Sequence, residues 1–139
     1  MKIDIINARS GVSQDLFQAL VKQVFAGEEK PGDYVNIIFM SRDDLRLMKS
    51  EYFGQDVFTD VIAFNLNDPE EPIEGEVYLS QEQITANAKE FKTDPQEELY
   101  RVLIHGCLHL CGYEDDTPTS KTEMTRLENQ YLGKLKDLE

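Results

Sequence analysis

The sequence is organised around the stretch His105-Gly-Cys-Leu-His109-Leu-Cys-Gly112-Tyr-Glu-Asp115-Asp. It holds both histidines of the chain, four residues apart, so on a helix the two imidazoles leave from one face, one turn apart. Gly112 predicts the end of that helix, because glycine readily takes the positive φ found just past many helices. Asp115 then follows His109 by six residues. Two imidazoles and one carboxylate can hold a tetrahedral Zn²⁺ and leave its fourth position to water, so the stretch predicts a hydrolytic metal site.

The residues before the first histidine put both imidazoles on the polar side of an amphipathic helix. At about 100° per residue, one stripe of this helix carries Glu98, Arg101, His105 and His109. The apolar side chains lie largely away from that stripe: Leu99, Val102, Leu103, Cys107, Leu110 and Cys111. A disulfide between the two cysteines would conflict with helix geometry, so we interpret both as small buried hydrophobes.

Length and composition predict one domain over residues 1–139, because 139 residues with 40% apolar content suffice for a single core. No apolar run approaches the roughly 20 residues of a membrane span, and the N-terminus does not resemble a signal peptide. These features make the cytoplasm the expected compartment. The net charge of −13 argues against a broad, non-specific nucleic-acid binder. It is compatible with an RNA-processing enzyme whose positive potential is local and partly supplied by a metal.

Periodicity predicts four strands and five helices in an α+β domain. The predicted strands are Met1–Ala8, Tyr34–Met40, Thr59–Asn65 and Gly75–Ser80. The predicted helices are Gln14–Phe25, Asp43–Phe53, one from Gln81 through Phe91, one that begins at Thr93-Asp-Pro95 and carries the histidines, and Lys121–Leu138. We expect a four-stranded mixed sheet packed by these helices, with the metal site on a central helix and the turn after it. The third and fourth strands are expected to pair antiparallel across an acidic loop.

Three segments together resemble the YbeY family. His105-Gly-x-Leu-His-Leu-x-Gly-Tyr113 is similar to the family signature. Thr59-Asp-Val-Ile-Ala-Phe64 resembles its Thr-Asp-Val-Leu-Ser-Phe strand, and Gly75-Glu-Val-Tyr-Leu-Ser80 resembles its Gly-Asp-Ile-x-Ile-Ser strand. Order and spacing agree from about residue 35 to residue 132. Members of this family are bacterial, metal-dependent, single-strand endoribonucleases that act in ribosomal RNA maturation and small-subunit quality control.

The resemblance implies a zinc-dependent endoribonuclease in which a metal-activated water hydrolyses the phosphodiester bond. Its implied ligands are His105, His109 and Asp115, which would hold one Zn²⁺ per chain, although another divalent metal would also suit them. The implied partners are single-stranded and ribosomal RNA and the small ribosomal subunit, and no membrane. The general base is not assigned by this resemblance, but Asp60 and Glu76 lie in the matching strands and are candidates.

Two positions depart from the family pattern. The family usually has a third histidine where this chain has Asp115, and a carboxylate oxygen is an acceptable zinc ligand at about 2.0–2.2 Å. Glu114 or Asp116 would substitute for Asp115 if the turn had another shape. The second departure is the stretch Tyr52-Phe53-Gly54-Gln55-Asp56, where the family commonly has Tyr-Arg-Gly-Lys-Asp, so Phe53 and Gln55 replace its two positive charges. Arg101 is then a candidate phosphate contact, with an ion pair to Glu97 or Glu98 as its alternative role.

Two other functions compete with this prediction. The spacing His105-x3-His109-x2-Gly112-x2-Asp115 matches the ligands of the metzincin zinc metalloproteases, but those enzymes place a catalytic glutamate where this chain has Gly106. The second alternative is a non-catalytic, metal-dependent ribosome-assembly factor. It is favoured by the missing arginine and by the acidic charge of the chain.

Overall fold

Four strands and five α-helices make up the computed structural model, which describes residues 1–9 and 11–138. The strands are β1 (Lys2–Ile6), β2 (Gly32–Phe39), β3 (Val61–Asn65) and β4 (Ile73–Leu79). The helices are α1 (Gln14–Gly27), α2 (Arg42–Phe53), α3 (Gln81–Phe91), α4 (Pro95–Leu110) and α5 (Pro118–Gly133), followed by a short 3₁₀ turn, Leu135–Leu138. This confirms the predicted α+β class, the strand count and the five helices.

The strands form one mixed sheet in the order β1-β2-β4-β3. Strand β2 pairs in parallel with both β1 and β4. The predicted antiparallel pairing across the acidic loop is confirmed, because β3 runs against β4 with Val61 opposite Leu79 and Asn65 opposite Gly75. Strand β3 therefore forms one edge of the sheet.

The two faces of the sheet have different partners. Successive side chains on a strand point to opposite faces, and one face carries the buried residues Val35, Ile37, Phe39, Val77 and Leu79. Helix α4 covers this face, and α1 joins it where the Phe17 ring lies 6.0 Å from the Phe39 ring. Helix α2 lies against the opposite face at β3, where Phe53 stacks on Phe64.

Helix α4 runs through the centre of the molecule and packs against α1, α3, α5, β3 and β4. Leu103, Ile104 and Leu108 are completely buried on its inner side. Cys107 and Cys111 are also buried and unpaired, which confirms that they pack as small apolar residues. Among the described residues, no helix combines the length and apolar character that a membrane span requires.

Most predicted helix starts are confirmed, but the last helix is not. Ser13, Ser41 and Asp94 each accept a hydrogen bond from the backbone of the first turn that follows. Helix α5 was predicted to begin at Lys121, yet Thr117 caps it and Pro118 is its first residue. Proline fits the first helical position because the N–H it lacks has no partner there anyway. The α-helix also ends at Gly133, before the predicted limit.

Candidate metal centre

At the end of α4, beside the histidines, the chain reverses direction. The Tyr113 N–H donates to the Leu108 carbonyl and the Gly112 N–H donates to the His109 carbonyl, both at 3.0 Å. These two bonds form a Schellman motif, which requires a left-handed residue just past the helix. Gly112 supplies it with a φ of +103°, as predicted. The turn that follows brings Asp115 back to the two imidazoles.

Three ligand atoms converge at this turn. The Nε2 atoms of His105 and His109 lie 3.0 Å apart. The Oδ2 atom of Asp115 lies 3.3 Å from Nε2 of His105 and 3.7 Å from Nε2 of His109. In a tetrahedral zinc site with bonds of about 2.0–2.2 Å, neighbouring ligand atoms are about 3.3–3.6 Å apart. The three distances bracket this range, so the donor set fits a single metal ion.

Each imidazole is held through its other nitrogen. Nδ1 of His105 lies 2.7 Å from Oε2 of Glu128, and Nδ1 of His109 lies 2.9 Å from the Tyr113 carbonyl oxygen. A carbonyl only accepts, so Nδ1 of His109 carries the proton and Nε2 presents its lone pair. The Glu128 carboxylate favours the same tautomer at His105. Metal-ligating histidines are commonly oriented in this way.

Glu128 was not found from the sequence. It lies on α5, 23 residues after His105, with only 7% of its surface exposed. Its other oxygen accepts from Arg101 at 3.1 Å, and Arg101 also donates to the side chain of Asn129 at 2.8 Å. The ion pair of Arg101 is therefore with Glu128, not with the expected Glu97 or Glu98. Residues so far apart in sequence meet only through tertiary packing, so helical periodicity could not have identified this pair.

The charges around the histidines set their pKa values in opposite directions. Burial acts to lower the pKa of His105, but Glu128, Asp115 and Asp60 outweigh it and raise this pKa above its usual 6.5. Burial and the nearby charge of His105 lower the pKa of His109. Burial raises the pKa of Asp60, although His105 and a 3.4 Å hydrogen bond from Asn87 oppose the rise.

The three ligand atoms face a cleft of about 480 Å³. It follows the edge strand of the sheet and is lined by Lys49, Phe53, residues 59–63, His105, His109, Glu114 and Asp115. Of the two candidate bases, Asp60 lines this cleft. Glu76 pairs with Phe64 across the strands and so lies on the opposite face of the sheet from α4. Among the described acidic residues of the turn, Asp115 joins the histidines and Glu114 and Asp116 do not.

Gly106, between the two histidines, lies against the sheet. A Cβ atom there would lie 2.9 Å from Cγ1 of Val77 and 3.2 Å from Cγ2 of Val61. A metzincin protease needs a glutamate at this position as its general base. Even a methyl group there would force Val77 or the helix to shift, and a glutamate side chain is much larger, which argues against the protease alternative.

An α+β domain that presents two imidazoles and a carboxylate to an open cleft has the architecture of a metal-dependent hydrolase. The family model described as "Endoribonuclease YbeY" matches residues 2–136. Because this match spans nearly the whole chain, the chain belongs to the YbeY family of endoribonucleases, as its three motifs predicted.

Individual relatives agree with this assignment. An endoribonuclease YbeY from Amoebophilus asiaticus is 41% identical over 98 residues, which cover 70% of this chain and 67% of the relative. Another from Chlorobium phaeobacteroides is 33% identical over 139 residues, covering 99% of this chain and all of the relative (100%). The solution structure of TM1509 from Thermotoga maritima is similar with a TM-score of 0.67 at 28% identity, covering 96% of this chain and 88% of that one. That likeness confirms the fold.

Proposed function

We propose that this chain is a zinc-dependent endoribonuclease specific for single-stranded RNA, acting in ribosomal RNA maturation and in quality control of the small ribosomal subunit. The observation that carries the proposal is the convergence of His105, His109 and Asp115 within 3.7 Å of one another on the open side of a cleft. Membership of the YbeY family supports RNA as the substrate. A ribosomal RNA substrate implies action in the cytoplasm.

In this proposal His105 and His109 bind the ion through Nε2, and Asp115 binds it through Oδ2. When bound, the ion supplies a Lewis acid that polarises a phosphoryl oxygen and lowers the pKa of a coordinated water. Glu128 and the Tyr113 carbonyl keep both Nδ1 atoms protonated, so that the lone pairs of Nε2 stay directed at the ion. Two neutral imidazoles and one carboxylate leave the site a net positive charge of about one, which attracts a phosphate.

Asp60 is the proposed general base. Its carboxylate lines the same cleft, is partly buried, and has a pKa that burial raises. A base of raised pKa accepts a proton more readily near neutral pH than an ordinary carboxylate does. Asp60→Asn is therefore expected to lower kcat about 100-fold or more, with the metal content unchanged.

The test measures cleavage and metal content together. Purified wild type is incubated with a labelled single-stranded RNA and with the duplex of the same sequence, with and without chelator. We expect cleavage of the single strand only, loss with chelator, and recovery when zinc is returned. Elemental analysis should give near one zinc per wild-type chain.

Matched variants make this test specific. His105→Ala and Asp115→Ala are expected to lose both zinc and cleavage. Asp116→Ala removes the neighbouring exposed carboxylate and should keep both, because Asp116 is not part of the converging group. Cleavage that persists in chelator, or zinc that stays bound in Asp115→Ala, would contradict the proposal.

One observation favours the second candidate, a non-catalytic metal-dependent assembly factor. Arg101 is engaged by Glu128 and Asn129, and Phe53 replaces the arginine usual in the family, so the cleft has fewer cations for phosphate. A wild type that binds zinc and single-stranded RNA but leaves the RNA intact would support this alternative. Casein left intact under the same conditions would confirm that the protein is not a protease.

A further inference from the structure

An exposed aromatic ring adjoins the candidate metal centre. Phe53 is the last residue of α2, is 47% exposed, and lines the same cleft as His105, His109 and Asp115. The other side chains that line this cleft are mostly polar, so the Phe53 ring is its largest apolar contact surface. The cleft therefore contains a feature that the metal ligands do not explain.

One face of the Phe53 ring packs against other aromatic rings. Phe53 stacks on Phe64 of β3 with ring centroids 5.9 Å apart and an interplanar angle of 7°. Phe64 is itself held edge-on by Tyr52 at 5.4 Å and by Tyr78 at 6.2 Å. The Phe53 ring is thus packed on one side against a cluster of aromatic rings on the sheet, and about half of its surface stays exposed.

The ammonium group of Lys49 lies over the Phe53 ring. The Nζ atom of Lys49, one turn earlier on α2, lies 4.5 Å from the Phe53 ring centroid, and Lys49 also lines the cleft. Within the described parts of the chain, no carboxylate lies within ion-pair distance of Lys49. An exposed cation–π contact is weaker than the stacking of a base on an aromatic ring. A base can therefore displace the ammonium group, which remains close enough to pair with a phosphate.

Phe58, a second partly exposed ring, differs from Phe53 in that the cations over it have other partners. Phe58 is covered by the guanidinium groups of Arg42 at 3.8 Å and Arg46 at 4.6 Å from its centroid. Arg46 is also paired with Asp56 at 2.7 Å, and Arg42 donates to Gln83 at 2.6 Å. Both cations are thus already engaged, and Phe58 is already covered.

We propose that Phe53 stacks a nucleobase of single-stranded RNA while Lys49 contacts the adjoining backbone phosphate. This nucleobase subsite, made of Phe53 and Lys49, rests on the proposed function because it serves the same cleft. Stacking suits a single strand, whose bases are exposed, and it tolerates any base because every base has a π-face. Stacking on Phe53 would thus provide part of the substrate affinity that an arginine at position 53 would provide through its charge.

The chain offers a direct probe, because it contains no tryptophan. Phe53→Trp introduces a single indole at the proposed subsite. Phe91→Trp is the matched control, since Phe91 is 63% exposed at the end of α3 and is not among the residues that line the cleft. Each variant is titrated with a single-stranded 2′-O-methyl RNA, which is first shown to stay intact with wild type, and with an abasic strand of the same length.

We expect the RNA to quench Phe53→Trp and to leave Phe91→Trp unchanged. The abasic strand should bind Phe53→Trp about 5- to 150-fold more weakly, because it lacks the stacking partner. Phe53→Leu, which keeps an apolar side chain against Phe64, should weaken RNA binding by a similar factor with unchanged zinc content and melting temperature. Lys49→Gln should weaken binding of both strands and reduce its salt dependence.

Other results would overturn the subsite. Equal quenching by the abasic strand would show phosphate contact without stacking. A fluorescence change that depends on protein concentration alone would assign the surface to a second copy of the chain. An unquenched Phe53→Trp beside a wild type that cleaves RNA would refute the subsite and leave the proposed function intact. Quenching beside a wild type that cleaves nothing would support the subsite and refute the proposed catalysis.

Discussion

Glu128 determines which nitrogen of His105 is available to a metal. Its two carboxylate oxygens have separate partners, His105 at 2.7 Å and Arg101 at 3.1 Å. A buried carboxylate is costly unless it is paired, and here Arg101 compensates the charge while His105 uses the second oxygen. Arg101 therefore acts on the site through Glu128.

Glu128→Gln is expected to lower zinc affinity about 10- to 100-fold. The amide can turn its NH₂ group toward Nδ1 of His105, which would favour the tautomer with its proton on Nε2, and it no longer balances the charge of Arg101. Competition with a chromogenic chelator measures the affinity. Glu123→Gln is the control, because Glu123 lies on the same helix and, among the described residues, forms an ion pair only with exposed Arg126. Equal zinc affinity in Glu128→Gln and wild type would contradict this role.

The candidate ligands could be predicted from sequence, and their supporting partners could not. His105, His109 and Asp115 are joined by one helical turn and one short loop, so local geometry alone brings them near each other. Glu128 reaches His105 only because α5 packs against α4. The Tyr113 carbonyl is a backbone group, and residue type does not show whether a backbone group bonds to an imidazole. Gly112 did predict the end of the helix and thus the turn that positions this carbonyl.

At the scale of elements, the distance between the histidines and the edge strand β3 depends on how closely α4 packs against the sheet. Gly106 makes this approach possible between Val61 and Val77. The same kind of close packing occurs at Gly75, where an added Cβ would lie 2.7 Å from Leu110. Two glycines, one on each element, thus allow the end of α4 to lie directly on β3 and β4.

Gly106→Ala is expected to destabilise the protein by up to about 2 kcal/mol. Overpacking against two β-branched side chains costs about 1–3 kcal/mol, and the better helix propensity of alanine returns at most about 1 kcal/mol. Zinc affinity should fall too, because α4 must lift away from the sheet. Urea unfolding and chelator competition measure the two effects.

Gly133→Ala is the matched control for this change. Gly133 ends α5, and an added Cβ there meets nothing within 4 Å. It should therefore be neutral or slightly stabilising. A stable Gly106→Ala variant with normal zinc affinity would show that α4 can accommodate the methyl group without moving.

The elements were more predictable than their arrangement. Hydrophobic period and capping residues located all nine regular elements, since both are local signals. The start of α5 was predicted too late, at Lys121, because Thr117 was not recognised as the residue that caps this helix and forms a capping box with Ser120. The order β1-β2-β4-β3 depends on pairings between distant segments, and only the antiparallel β3–β4 pair was close enough in sequence to predict.

At the scale of the whole molecule, charge is unevenly arranged around the cleft. The net charge is −13, yet α2 places the cation Lys49 at the cleft, whereas its Arg42 and Arg46 lie over Phe58. Screening confines each exposed charge to about 8–10 Å at physiological salt. Lys49 at the cleft therefore matters more to an approaching RNA strand than acidic residues on the far side of the molecule do.

In the proposed metal site, folding, protonation and metal binding would be linked through His105. Its pKa is raised in the folded state, because the charges of Glu128, Asp115 and Asp60 outweigh the effect of burial. In the metal-free protein, protonated His105 thus contributes stability that is fully present below the unfolded pKa of about 6.5 and is lost as pH rises through the folded pKa. A metal ion binds only the unprotonated imidazole, so its stabilisation has the opposite dependence on pH.

Zinc is therefore expected to raise the melting temperature near pH 8 and to lose this effect near pH 5.5. At a free zinc concentration about 100 times Kd, the stabilisation at the higher pH is about 2.7 kcal/mol. As pH falls through the raised pKa of His105, protons displace the ion while the ion pair with Glu128 strengthens, so the curves with and without zinc converge. Thermal unfolding across this range, with and without chelator, measures both curves. His105→Ala should show neither dependence, and a zinc effect constant from about pH 5.5 to 8 would exclude His105 as a ligand.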